Sequence, residues 1–471
     1  MNRYIFEFGL EMPKYIQISR HIKKLIDSSA IEDGEKLPSI RELANNLSVN
    51  TVTIVNAYKK LQNEGYTFQK IGSGTYAKRK DSSKNVKKHY SDTFKALSSN
   101  LLKDYIDFTG ETTCSDFFPV LTFKNVLNQV LDRDGADALV YQEVLGFKGL
   151  RETINRNFWN SSTDIEAILI VSGAQQGIDI ASKALINVND NVIVEKPTYG
   201  GALSVFKGRR ANIFEVDIMN DGIDLIQFEV ILKKNKIKCF YTMSYFQNPT
   251  GNSYNLETKK QILYLAEIYD FYIIEDDYLS ELIYSSEIKY YSFKSLDDND
   301  RVIYIKSFSK IFLPGIRIGY LISPKKFLEQ IQNSKINTDI ATSSLMQRAL
   351  ELYINRGYWK EHISYLNVEY KKRYEYMIFA METNLDEKIQ FHRPGGGLNF
   401  YLKINDKINL NCKELFYKCK KEKVLITPGV LFYKNSWEGE KHFRIGFSQV
   451  SNDKILKGII VLSKVLGNSI Y

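Results

Sequence analysis

From residue 105 to residue 471, short runs rich in β-branched and aromatic side chains alternate with stretches of helical periodicity, and few folds accommodate that order. Strand-like runs fall at 167–171, 191–195, 238–243, 271–275 and 301–306, with helical patterns such as 175–186, 256–269 and 343–352 between or after them. Alternation over such a length predicts a three-layer α/β/α domain built on a mostly parallel sheet. Sheets of that kind bind ligands beyond the carboxyl ends of their strands, so the residues following each run are the ones to read for chemistry.

Five segments stand there. SGAQQG (172–177) is a small-residue turn opening a helix, where free backbone N–H groups can hold a phosphate. EKPTYGG sets Tyr199 after a strand and Pro197, so its ring can stack on a flat ligand. In YFQNPTG, a tight Pro-Thr-Gly turn aims the Asn248 amide into the cleft. IIEDDYLSE ends a buried strand on acids; there an acid can pair with a protonated ring nitrogen while the phenol two residues on reaches a ring oxygen. SFSKIFLPGIRIGY crowds Ser307, Ser309, Lys310 and Arg317 into eleven residues. Hydroxyls and a guanidinium suit a phosphate, and a lysine desolvated beside them can form a Schiff base. A phosphate cradle, a stacking aromatic, an acid for a ring nitrogen and an imine-forming lysine are together the needs of pyridoxal 5′-phosphate.

The first hundred residues differ in character. The chain carries a net charge of +9, yet residues 1–104 hold 18 Lys and Arg against 11 Asp and Glu, while the other 367 residues hold 46 and 44. An excess so placed fits contact with a polyanion; a solvated basic tail is the alternative. Within 13–77, Ile18, Ile22, Leu25 and Ile26 recur at helical spacing after Pro13, and Gly34 and Pro38 break that helix. Ser39 stands three residues before Glu42, the capping-box pattern, ahead of an apolar face of Ile40, Leu43, Ala44 and Leu47. A short turn leads to Asn50, a good cap for a third helix with Ile54, Ala57, Tyr58 and Leu61 inward, ended by Gly65. Short strands at 66–68 and 75–77 flank the turn Gly72-Ser73-Gly74.

Helix, tight turn, helix and hairpin predict a mostly α winged helix-turn-helix, whose recognition helix enters the major groove. A small domain used only for dimerisation is the other reading. Residues 78–104 carry eight basic and three acidic side chains and read as a charged linker with a short helix near 94–102.

Apolar residues at 44% and charged ones at 25% are the balance of a soluble protein with sizeable cores. No run reaches the roughly 18 apolar residues of a membrane span, and the first residues lack a secretory-signal pattern. Cys114, Cys239, Cys412 and Cys419 have no metal-binding spacing, so a reducing cytoplasm and no metal are expected.

The stretch LPSIRELANNLSVNTVTIVNAYKKLQNEGY and the GSGT turn resemble the GntR family of winged-helix DNA-binding domains. The resemblance implies that Ser39 and Arg41 at the second helix, Asn50, Thr51 and Thr53 at the third, and Gly72 at the wing tip meet double-stranded DNA. That family usually has an arginine where this chain has Thr51, so a different, A·T-rich operator is expected, because the arginine–guanine contact is among the stronger base readouts.

From residue 105 onward the chain resembles the fold-type I aminotransferases, particularly the kynurenine/aminoadipate group, with the motifs in order across almost the whole domain. This resemblance implies Lys310 as the lysine of the internal aldimine, Asp276 as partner of the pyridine nitrogen, and Tyr278 and Asn248 on the ring oxygen. Tyr199 would stack on the ring, and Ala174, Gln175, Ser307, Ser309 and Arg317 would bind phosphate. Around RPGGGLNF and HFRIGFSQV it implies Arg444 as the clamp for an amino acid's α-carboxylate, a bidentate task that suits arginine. Tyr141, in ADALVYQEVLGFKGLRETI, matches a tyrosine that reaches the partner's cofactor across a subunit boundary, which implies a homodimer.

A GntR-like head (13–77), a linker (78–104) and an aminotransferase-like body (105–471) in that order resemble the MocR/GabR family of bacterial regulators. The implied function is a cytoplasmic transcription factor that binds an operator through its head. Its body would sense pyridoxal 5′-phosphate, or an amine or amino acid forming an aldimine with it. A working aminotransferase with a secondary head is the alternative, because the catalytic residues look complete. A sensor of the cofactor alone is a third reading, against which Arg444 argues.

Overall fold

A computed structural model describes residues 2–467 of the chain, except 10–11, 28–29, 71, 79–82, 100, 142 and 340. The chain divides into two units, Met1–Asn85 and Val86–Tyr471.

In the first unit, α1 (Lys14–Asp27), α2 (Ile40–Asn46) and α3 (Thr51–Asn63) enclose a core that includes Ile18, Ile22, Ile26, Leu43, Ile54, Ala57 and Leu61. The α1 residues are four apart and form one apolar stripe; Leu25, expected inward, is only partly buried at its edge. Both helix starts follow from local chemistry. Ser39 Oγ accepts from the Glu42 N–H at 3.2 Å while Glu42 Oε2 accepts from the Ser39 N–H at 3.3 Å, so each satisfies the other's orphan donor. Asn50 Oδ1 accepts from the Val52 N–H at 2.9 Å and fixes the first turn of α3. Tyr58 OH, donating to the Pro38 carbonyl at 2.8 Å, ties α3 to the entry of α2. The antiparallel hairpin β1 (Thr67–Lys70) and β2 (Gly74–Ala77) begins one residue later than expected. The Tyr66 N–H is spent closing the end of α3 on the Leu61 carbonyl. Helix–turn–helix plus hairpin is the winged helix-turn-helix architecture.

The second unit begins inside α4 (Ser83–Ser98), which occupies much of what the sequence presents as a linker. Residues 79–82 and 100 of that segment lie outside the described residues. The helix starts well before residue 94 because Val86, Tyr90 and Thr93, spaced four and three apart, make an inward stripe among the charges. Val86 is buried, Tyr90 OH lies 3.2 Å from Thr427 Oγ1, and Lys420 Nζ donates to Thr93 Oγ1 at 2.7 Å.

An eight-stranded sheet forms the middle of this unit, in the order Ile168–Val171, Gly319–Ile322, Val302–Ser307, Tyr272–Asp277, Ile237–Thr242, Asn191–Lys196, Asn212–Met219, Gly222–Ile223. All pairings are parallel except those of Gly319–Ile322 with both its neighbours and of the short last strand. Successive strand residues enter different cores: Val192 and Val194 join one, Ile193 the other, and Ile274 and Ile273 divide likewise. Both faces of the sheet are therefore covered, the three-layer arrangement expected from continuous apolar runs. A smaller antiparallel sheet follows, in the order Ile389–Phe391, Asn399–Ile404, His442–Gly446, Thr427–Pro428. Among the described residues no helix is long and apolar enough to cross a membrane.

Candidate functional site

The carboxyl ends of the central strands open on one cleft with about 220 Å³ of space. Of the eleven residues expected around a cofactor, ten line it: Ala174, Gln175, Tyr199, Asn248, Asp276, Tyr278, Ser307, Ser309, Lys310 and Arg317. The eleventh, Tyr141, is 82% exposed and lies outside the cleft of its own chain.

Asp276 sits in the strand Tyr272–Asp277 itself, beyond the expected strand end at 275, which fixes its side chain firmly. Oδ2 accepts from Tyr241 OH at 2.7 Å, while Oδ1 is buried with no partner. Burial pushes this carboxyl up to about 6, with the Tyr241 hydrogen bond opposing the rise. Lys310 follows the strand Val302–Ser307; desolvation pulls its ammonium below the ordinary value, against Tyr199 and Asp276, which favour the charge. Ser307 Oγ accepts from the Ser309 N–H at 3.3 Å, and Ser309 Oγ is buried without a partner. Arg317 donates to the Ser172 carbonyl at 2.8 Å and stands against Gly173. Gly173, at φ +95°, takes a conformation that other residues resist, and a β-carbon there would sit 3.0 Å from the guanidinium. It thereby leaves open the first turn of the helix Ala174–Leu185, whose N–H groups have no side-chain cap.

Three expected side chains are engaged by protein neighbours. Tyr278 OH donates to the Phe246 carbonyl at 2.7 Å. Asn248 Nδ2 donates to Glu111 Oε1 at 3.2 Å, and its Oδ1 accepts from Arg444 at 2.7 Å. Arg444, on the strand His442–Gly446, is buried; it pairs with Glu111 and donates to the Thr109 carbonyl at 3.2 Å and Thr427 Oγ1 at 3.3 Å.

Sequence reading missed Glu111, which also accepts from Lys310 Nζ at 2.9 Å, and Tyr241, which orients Asp276. It also missed Glu195, whose Oε2 accepts from Gln247 Nε2 at 2.9 Å and so holds the turn carrying Asn248. The one available signal for Glu111 is an acid beside a glycine just past the short strand Ile106–Asp107.

In the first unit, Arg41, Asn50, Thr51 and Gly72 are exposed and Thr53 is partly so. Val52 (60% exposed) and Val55 (42%) share the outer surface of α3, apolar groups that suit thymine methyls. Ser39 Oγ is taken up by the α2 cap.

Pyridoxal 5′-phosphate fits this donor set. A buried acceptor without a donor at Asp276 and a buried hydroxyl without a partner at Ser309 are what its ring nitrogen and phosphate would satisfy. Among the described residues no group of His, Cys, Asp and Glu could hold a metal ion.

Comparison with known proteins agrees with this reading in both units. The family model for aminotransferase class I and II matches residues 113–460, and that for the bacterial regulatory proteins of the gntR family matches 14–77. The uncharacterized HTH-type transcriptional regulator YdfD of Bacillus subtilis is 28% identical over 97% of this chain and 97% of its own. Aromatic-amino-acid aminotransferase 1 of Thermococcus litoralis is 30% identical over 77% of this chain and 88% of its own. The crystal structure of the kynurenine aminotransferase of Pyrococcus horikoshii, solved with PMP and kynurenine, superposes with a TM-score of 0.75. It shares 30% identity across 81% of this chain and 95% of that one.

Proposed function

The chain belongs to the class I and II aminotransferases, joined behind a DNA-binding domain of the bacterial GntR family, and from that premise we propose a transcription regulator whose body binds pyridoxal 5′-phosphate through Lys310 and senses a primary amine. The observation that carries this reading is the cleft in which Lys310 stands with the unpartnered Asp276 Oδ1 and Ser309 Oγ. When bound, the cofactor supplies an aldehyde carbon that condenses reversibly with primary amines. Lys310 would hold it covalently, and desolvation, which lowers the pKa of its ammonium, favours the neutral nitrogen this requires. Asp276 Oδ1 would take the ring N–H, Tyr199 would stack on the ring, and Asn248 and Tyr278 would serve its oxygen. Ser307, Ser309, Arg317 and the N–H groups at Ala174 and Gln175 would take the phosphate. Arg444 stands behind this cleft, bonded to its lining residues Glu111 and Asn248. A second copy brings Tyr141 to the site, so the protein works as a homodimer.

Regulation is favoured over turnover because the match to the regulator YdfD covers 97% of this chain, whereas that to the Thermococcus enzyme covers 77%. A DNA-binding head lends nothing to amino-group transfer. The head reads an operator with α3 in the major groove, Arg41, Asn50, Thr51 and Thr53 meeting it and Gly72 at the wing tip; Ser39 acts through the α2 cap. Effector binding changes how strongly the paired heads hold their half-sites. The complete set of cleft residues favours catalysis as the second reading, and transfer of an amino group from substrate to a keto acid over many turnovers would establish it.

Purified protein incubated with the cofactor is expected to gain the visible absorbance of a lysine-bound aldehyde, and Lys310→Ala to lack it. Retained absorbance in that variant removes the assignment. Arg41→Ala is expected to weaken operator binding by about tenfold or more in a fluorescence anisotropy titration, with cofactor uptake unchanged.

A further inference from the structure

Glu111 pairs with Arg444, the guanidinium that the family resemblance assigns to an amino acid's α-carboxylate. One of its oxygens pairs with Arg444 and accepts from Asn248 Nδ2 at 3.2 Å; the other accepts from Lys310 Nζ at 2.9 Å. The side chain is 17% exposed, so this carboxylate is built into the pocket wall.

Its backbone is held on both sides. Gly110 runs so close to Gln449 that a β-carbon would strike that side chain, and Gly446 in turn lies against the Gly110 carbonyl. Beyond Glu111, the Thr113 N–H donates to the Lys310 carbonyl at 2.9 Å, and Gln449 Nε2 donates to the Thr112 carbonyl at 2.6 Å. The remaining bonds of Arg444 go to neutral oxygens of Asn248, Thr109 and Thr427. Glu111 therefore neutralises the buried guanidinium from within the chain. A second carboxylate would have to displace it or sit beside it in a desolvated site, where like charges repel strongly. An incoming ammonium is instead attracted by the oxygen that meets Lys310.

We infer that Glu111 determines the effector class: as the internal counterion of Arg444, it makes the site select primary amines lacking an α-carboxylate over the corresponding α-amino acids. This rests on the amine-sensing reading above.

Full-length protein loaded with pyridoxal 5′-phosphate is titrated with two matched pairs, tyramine against tyrosine and putrescine against ornithine. Binding is followed by cofactor absorbance and by calorimetry. The wild type is expected to bind each amine about tenfold or more tighter than its amino acid. Glu111→Gln is expected to shrink that ratio to about threefold or less by tightening the amino acids, and Glu111→Asp, which keeps the charge, to retain a preference. The inference is overturned if the wild type binds amino acids as tightly as amines, or if Glu111→Gln leaves the ratio unchanged. If cofactor is bound but no amine perturbs it in any variant, the amine-sensing reading itself falls, and this inference with it.

Discussion

Asp276 keeps one oxygen on Tyr241 and leaves the other buried without a donor, a state that costs free energy until a donor arrives. Its carboxyl, raised by burial to about 6, stands above the value of about 3.9 expected in the unfolded chain. A group raised in this way stabilises the fold fully below its unfolded value and loses that contribution as pH climbs through its folded value. The cofactor-free protein is therefore expected to lose this contribution between about pH 4 and pH 6. A cationic ring nitrogen on Oδ1 offsets the loss. The gap in Tm between loaded and cofactor-free protein should accordingly widen from pH 5 to pH 7.5 in thermal unfolding. In Asp276→Asn the gap should stay flat across that range, with cofactor affinity reduced by about tenfold or more. An equally steep gap in the variant would assign the effect to another group. Asp276 was legible in the sequence, as were Lys310 and the residues around it, because each closes a strand within a compact motif. Glu111 was not: its partners Lys310 and Arg444 lie 199 and 333 residues away, and no local spacing connects them.

Five strands of the main sheet were legible because both faces are buried, which writes them as continuous apolar runs; Asn212–Met219, only partly buried, the two-residue Gly222–Ile223 and the reversed Gly319–Ile322 were not among them. The smaller sheet pairs Thr427–Pro428 with His442–Gly446, too short and too irregular a segment to announce itself. For α4, lysines hid a stripe of only three inward side chains. That helix matters because it continues the chain from the DNA-binding unit and reaches the surroundings of Arg444: Tyr90 OH meets Thr427 Oγ1, which also accepts from Arg444. A change at Arg444 can thus be felt on α4 through one shared hydroxyl. Tyr90→Phe removes that bond and keeps the ring. Its expected cost in stability is only about 0.5–1.5 kcal/mol. Cofactor uptake and amine affinity should remain near wild type, while the amine-dependent change in operator affinity shrinks several-fold in anisotropy titrations with and without amine. A response of full size would place the coupling elsewhere.

At the scale of the molecule, the exposed position of Tyr141 becomes a statement about assembly. Val120, Leu121, Leu139 and Val140 are exposed as well, each more than half open. Leu139 and Val140 adjoin Tyr141 in the chain, and exposed apolar side chains beside a tyrosine are what a second copy would cover. If Tyr141 serves the site of its partner, then Lys310 and Tyr141 of any one site come from different chains, and two defective chains can repair each other. Lys310→Ala is expected to abolish the lysine-bound absorbance, and Tyr141→Phe to weaken cofactor binding by about tenfold. In a mixed dimer, the Tyr141→Phe chain supplies the lysine and the Lys310→Ala chain supplies the phenol, so one of the two sites is wild type. Random exchange of equal amounts makes about half of the dimers mixed, so about half of the intact lysines should bind cofactor at wild-type affinity in a biphasic absorbance titration. A tyrosine acting on its own chain would leave the titration uniformly weak, because no chain in the mixture carries both residues.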